Sequence, residues 1–468
     1  MTGAALSAPP FDAVDTALSG YLQWAVRQSF EDIPPAVRQR MVMVLADDMA
    51  AAFSAADEPE PTRLAAWAAP AAGAALPASL LRRGRPRADL RQAAMVNAVA
   101  GGWNELDSGY RLAVCHAGLY TWPTLMALAE TRRAPLPELL RAAVLAYETV
   151  VRFASAWPLA SPKLHPHALY GALGAAAAAG FLLRLPADRL QQVLSAACTM
   201  GLTGPFNQAP AGALVRNAWA AAGVANGLLC IEWAEAGIGG LARTPHDLYT
   251  TVLGAPWRPT AFAPIAAEGA WAVQASYHKR YACCQYLHSS IEALLTLLGQ
   301  APSLVGGAAV DTLEVRIHPL GLGLSNRAPE NTLAGCFSLP HAMATTLAHG
   351  RADALAFSGP ALNDPRVATL RERVHWRAYE PLAAWPHDRP ANVTLTLKDG
   401  RVLKAECLSA QGGPDHPFTD AMLWDKVRHA THDAAPGFEA AMRAWHAAAG
   451  ADVATSRHAD TLLASFFD

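Results

Sequence analysis

Residues 171–180 read Gly-Ala-Leu-Gly-Ala-Ala-Ala-Ala-Ala-Gly. Nothing in this run gives a helix a polar face. Small side chains let helices approach closely, so the run predicts a central helix touched on all sides by others. The surrounding sequence fits such a body. Leu22, Val26 and Phe30 have helical spacing, as do Val42, Leu45 and Met49. Pro34-Pro35 opens a helix, since proline is favoured in a first turn. Further helices are expected around 88–104, 120–132, 136–157, 168–183, 187–203, 212–236 and 245–254. No fixed-period repeat is visible, which argues against a solenoid.

The pattern changes after about residue 271. Thr312 to Ile317 alternates apolar and polar residues with period two, as a strand does. Val393 to Leu397 and Val402 to Glu406 flank Lys398-Asp399-Gly400-Arg401, and Asp-Gly is a favoured hairpin turn. Helical stretches lie between at 285–299, 335–349 and 365–373, and helices return at 421–429 and 438–448. The 468 residues exceed the ~250–300 that one hydrophobic core usually serves. The expected fold is mainly α. A large all-helical domain over 1–270 is rejoined by 417–468, and is therefore discontinuous. A smaller α+β lid domain occupies 271–416.

Composition narrows the function classes. The net charge is −2 and charged residues make up 16%. With no long run of one sign, neither a nucleic-acid partner nor a polybasic membrane anchor is expected. The apolar stretch Ala172 to Leu185 is shorter than the ~20 residues of a spanning helix, and Ala218 to Ala234 is interrupted by Asn226 and Glu232. No secretory signal is evident. The seven cysteines are scattered and odd in number, which points to a reduced, cytoplasmic protein.

Four short segments gather polar groups between apolar helices. Asn104-Glu105-Leu106-Asp107-Ser108-Gly109-Tyr110-Arg111 is followed by His116. Polar groups at such junctions need partners, and a cleft for a polar ligand supplies them. A histidine beside a carboxylate can move a proton near neutral pH. His165-Pro166-His167 precedes a helix whose free N–H groups attract anions. Arg216 follows a glycine turn and can grip a carboxylate in a bidentate fork. Lys279-Arg280-Tyr281 opens the second domain, and a desolvated lysine can serve as a base. Each segment also has a bland reading: a solvated loop, a capping histidine, a surface arginine, a basic linker. There is no HExxH, paired CxxC, calcium loop, GxGxxG or GK[ST] loop, or GxSxG elbow. No metal and no cofactor are expected.

Taken together, VNAVAGGWNELDSGYRLAVCHAG, KLHPHALYGALGAAAAAG, GALVRNAWAAAGVANGLL and HKRYACCQYLHSSIEALL resemble the MmgE/PrpD family. AGCFSLPHAMATTLAHG and the VTLTLKDGR hairpin also look like family segments. The family contains 2-methylcitrate dehydratases, cis-aconitate decarboxylases and iminodisuccinate epimerases. The resemblance implies a helical domain with an α+β lid, usually in a homodimer. It implies roles for His116, Asp107, His165 and Lys279, and places His341 where some members have a tyrosine. Ser108 departs from a commonly acidic position. Arg216 stands where a lysine is frequent, and an arginine binds charge without moving protons.

The expectation is a cofactor-independent lyase or isomerase of a small di- or tricarboxylate. A 2-methylcitrate dehydratase-like hydro-lyase is the first reading. An epimerase or decarboxylase of a related carboxylate, or a non-catalytic binding protein, is the alternative. Lys279 or His165 is expected as base and His116, oriented by Asp107, as acid. Arg111, Arg216, Arg280, Glu105 and His341 are expected around the substrate.

Overall fold

The computed structural model describes residues 11–68, 77–159, 163–266, 269–387, 389–451 and 458–468. The chain is mainly helical. Among the described residues, nine helices of ten or more residues build its first part: α1 (Phe11–Arg27), α2 (Pro35–Ser54), α3 (Pro59–Ala68), α4 (Leu90–Trp103), α5 (Ala117–Arg132), α6 (Leu136–Ala156), α7 (Pro166–Leu182), α8 (Ala187–Thr199) and α9 (Val215–Glu235). Every residue of α7 is buried, as the apolar run Gly171–Gly180 at its centre requires. Its neighbours come close because glycines leave room. A Cβ on Gly223 of α9 would lie 2.6 Å from Gly171 Cα, and one on Gly174 would lie 2.4 Å from Tyr120 Cβ in α5. Among the described residues no helix is long and apolar enough to cross a membrane.

Two small ladders, β1 (Ala78–Ser79) with β2 (Arg87–Ala88) and β3 (Gly109–Tyr110) with β4 (Ser276–Tyr277), pair segments that have no strand periodicity. The larger sheet holds β5 (Val310–Ile317), β6 (Val374–Ala378), β7 (Ala391–Leu397) and β8 (Val402–Cys407) in the order β6-β5-β7-β8. The strand expected at 312–317 and the hairpin about Asp399-Gly400 are both present. β6, parallel to β5, was not legible: it is a short edge strand whose outward positions are polar.

Two hydrophobic cores result. One gathers α1–α9 together with Trp424, Phe438, Met442 and Trp445 of the helices Asp420–Thr431 and Phe438–Gly450. The other is formed by the sheet and the helices His288–Gln300 and Leu339–His349. It also takes in Leu106 and Ala209, so the polar turn after α4 lies where the two cores meet.

Gly174→Ala tests the close approach. The added methyl has no space against the α5 backbone, whose Tyr120 oxygen would be 2.7 Å away. Overpacking of this kind destabilises by about 1–3 kcal/mol. Chemical denaturation reads the difference, and an unchanged midpoint would remove α7 from its central place in the packing.

Candidate active site

The turn leaving α4 carries the first residues of the site. Glu105 adopts a left-handed backbone, φ 53°, unusual for a residue with a side chain and common at functional turns. Immediately after, β3 pairs antiparallel with β4, with Gly109 opposite Tyr277 and Tyr110 opposite Ser276. Carrying that register outward by two residues sets Asp107 opposite Lys279. Alternation sends side chains of one parity to the cleft and those of the other beneath it. Lys279 Nζ accordingly lies 3.4 Å from Asp107 Oδ1 and 2.9 Å from Glu105 Oε2. Glu105 Oε1 pairs with Arg216 of α9. Asp107 Oδ2 is 2.6 Å from His116 Nδ1 at the start of α5. Five ionisable side chains from four segments thus form one chain of contacts.

Electrostatics fixes several protonation states. Burial alone would raise the Asp107 carboxyl, but Lys279 and His116 hold it well below the ordinary carboxylate range. Glu105 is likewise lowered by Arg216 and Lys279 against its burial. Burial opposes the Lys279 ammonium, yet Asp107 and Glu105 outweigh it and push the lysine above its usual value. His165 is pushed well below the imidazole range by burial and then by Arg216, so it is neutral. Its Nδ1 accepts the His167 backbone N–H at the first turn of α7, and its Nε2 lies 3.2 Å from Arg216 Nε. His167 is held through Nδ1, 2.9 Å from the Tyr120 hydroxyl.

A small cleft of about 70 Å³ opens over this chain. Glu105, Arg111, His116, His165, Arg216 and Lys279 line it, with Arg389, Tyr286 and Phe337 from the sheet-bearing part. The segments singled out in the sequence therefore converge, but some residues take other places. Lys279 was expected as a desolvated, neutral base, and Arg280 beside the substrate. Its ammonium instead faces two carboxylates, while the Arg280 guanidinium donates to Gln411 Oε1 at 3.1 Å, away from the cleft. His341 is buried beside Ala356 O at 3.2 Å and does not line the cleft. Arg111 sits in the cleft wall with its guanidinium directed to Asp415 at 3.4 Å, the Pro386 carbonyl at 3.2 Å and the Trp385 ring. The donors of Arg216 reach His165, Gly102 O, Asn217 Oδ1 and Glu105.

Two further residues, Asp47 and Lys426, went unnoticed. Asp47 of α2 lies 2.7 Å from His278 Nδ1 and 2.5 Å from Lys426 Nζ, and Lys426 also donates to the Leu106 carbonyl at 2.8 Å. The signal was present: two consecutive aspartates inside an apolar helix must be partnered when buried. For a metal, Asp107, His116 and His167 bring one donor atom each within 4.8 Å of one another. The neighbouring Lys279 and Arg216 charges oppose a cation there.

The family models for the MmgE/PrpD N-terminal and C-terminal domains match residues 22–249 and 281–447. The chain belongs to the MmgE/PrpD family. A cis-aconitate decarboxylase of Aspergillus terreus is 26% identical over 353 residues, covering 69% of this chain and 70% of that protein. A second protein of that name, from a strain of the same species, is 26% identical over 381 residues, covering 75% and 76%. The MmgE/PrpD chain thus has lyases among its relatives.

Asp107→Asn tests the charge chain. A carboxyl with a lowered folded pKa contributes stability above its unfolded value, about 3.9, and that contribution is lost as pH falls through the folded value. The parent should therefore lose more stability than the variant as pH drops below about 4. Parallel thermal midpoints across the acid range would show that Asp107 is not held charged by its neighbours.

Proposed function

We propose that this chain is a lyase of a small di- or tricarboxylate, with His116 as the group that moves the proton. The observation that carries the reading is Asp107 shared between His116 and Lys279, at 2.6 and 3.4 Å. It sets a proton carrier beside a fixed positive charge on one cleft wall. Arg111, Arg216 and Arg389 add positive charge around the same space, which suits a polycarboxylate.

Loss of CO2 is the first reading, and two observations favour it over the dehydration expected from sequence. The relatives are named as cis-aconitate decarboxylases. Lys279 is a charged electrostatic group, and His165, the other base expected, is pushed well below the imidazole range and is a weak one. In a decarboxylation the bond to one carboxylate breaks, and its electron pair moves into the adjoining unsaturated acid. The Lys279 ammonium stabilises that developing charge, and His116 delivers a proton to carbon. Dehydration is the second reading, with His116 taking a proton and Lys279 giving one to the departing hydroxyl. A non-catalytic use of the fold is disfavoured, because binding alone does not call for a carboxylate-backed imidazole at the cleft. The smaller unit acts as a lid in this reading, latched by Arg111 onto Asp415 and the 385–386 segment.

Proton NMR in heavy water on cis-aconitate, citrate, 2-methylcitrate and iminodisuccinate tests the reading. Turnover of one of them with deuterium entering the product is expected, and inertness toward all four would overturn it. With that substrate, His116→Asn should lower turnover about 10²–10⁴-fold with the fold kept.

Lys279→Ala should fail differently. Lys279 is 1% exposed and its removal strands two buried carboxylates. Breaking such a pair costs about 3–5 kcal/mol, so both stability and turnover should fall. A variant as stable as the parent would mean that the lysine is not the counter-charge of the site.

A further inference from the structure

Asp48 is a buried acid beside the charged chain that the proposed reaction leaves unused. It follows Asp47 in the run Val44-Leu45-Ala46-Asp47-Asp48-Met49 of α2, and both acids are 0% exposed. The two have opposite surroundings. Asp47 is held between His278 and Lys426. Asp48 accepts the Ser108 backbone N–H at 2.5 Å through Oδ1. Its Oδ2 turns toward Gly118 of α5, where a Cβ would lie 1.9 Å from it and 3.0 Å from Ser108 Oγ. Only a glycine at 118 leaves room for this carboxyl.

Ser108 lies between Asp107 and β3, and the two side chains leave the backbone in opposite directions. The Ser108 peptide is therefore the hinge about which the Asp107 carboxylate is aimed. We propose that Asp48 is a positioning residue whose carboxyl grips this peptide from beneath and fixes where Asp107 meets His116 and Lys279. It works as a neutral acid. The groups facing it are Asp47 on its own helix, Asp107 on the turn and the Tyr147 hydroxyl from α6, with His278 and Lys426 beyond Asp47. Burial, then the charges of Asp47 and Asp107, raise its carboxyl well above the usual range. A neutral acid supplies the acceptor without adding a third anion to Glu105 and Asp107, so the Lys279 charge stays matched to the latter two. The proposal holds whatever the substrate.

The sign of the pH effect follows. As pH rises past about 4 the unfolded chain releases this proton while the folded one keeps it, so Asp48 makes stability fall with rising pH. Asp48→Asn keeps the size and the acceptor and removes that titration. Its thermal midpoint relative to the parent should climb as pH rises above about 4. The ring chemical shifts of His116 in Asp48→Asn, followed by NMR and assigned with a His116→Asn variant, should match the parent. Asp48→Ala removes the acceptor and should displace those shifts, and Asp48→Asn is the rescue. Asp48→Ser replaces the alanine variant if the latter does not fold. An Asp48→Asn deficit that is equal at every pH would mean that Asp48 acts as a charged group. His116 ring signals unmoved by Asp48→Ala or Asp48→Ser would mean that Asp48 supports the fold without aiming Asp107. Either result overturns the proposal.

Discussion

Everything at the cleft depends on Lys279 being balanced inside the protein by Glu105 and Asp107. A buried ammonium without partners loses its proton or unfolds the chain around it. Here the balance is built by backbone register. The two-residue pairing of β3 with β4 continues outward to set Asp107 across from Lys279. The left-handed turn at Glu105 brings the second carboxylate to the ammonium's other side and leaves its far oxygen for Arg216. The imidazole of His116 completes the set against the free oxygen of Asp107. Removing any member leaves a neighbour buried and unmatched, so the charges fix the geometry as much as the geometry fixes them.

Helix α2 is the floor beneath this arrangement. Arg40 holds Ser276 through its hydroxyl and carbonyl at 3.0 Å each, Asp47 holds His278, and Asp48 holds Ser108. These contacts reach the underside of both short strands while the cleft residues point the other way. Lys426, on the helix Asp420–Thr431, ties the end of the chain to the same floor through Asp47 and the Leu106 carbonyl. That tie explains why the last helices return to the first core: they carry one of the cations that let an aspartate stay charged there.

The helical body was legible because its signals are local. Alanine-rich runs, prolines at first turns and period-two alternation each act within a few residues. The convergence of the segments around His116, His165, Arg216 and Lys279 was also legible, since polar clusters beside glycine and proline between apolar helices have few other uses. Directions and charge states were not legible. Arg280 and Lys279 are adjacent in sequence, yet one faces Gln411 and the other the cleft, because strand-like backbone sends neighbours to opposite sides. The charge on Lys279 depends on carboxylates more than 170 residues away in the chain. A two-residue ladder has no period to detect, and Asp47 and Asp48 were masked by the apolar helix around them.

The most direct test of this account is the protonation state of Lys279, followed by 15N NMR of its side-chain nitrogen as pH is raised, with Lys279→Arg assigning the signal. An ammonium that stays protonated beyond the usual lysine pKa of about 10.4 is expected. A side chain that titrates near neutral pH would contradict it, and would return Lys279 to the role of a base.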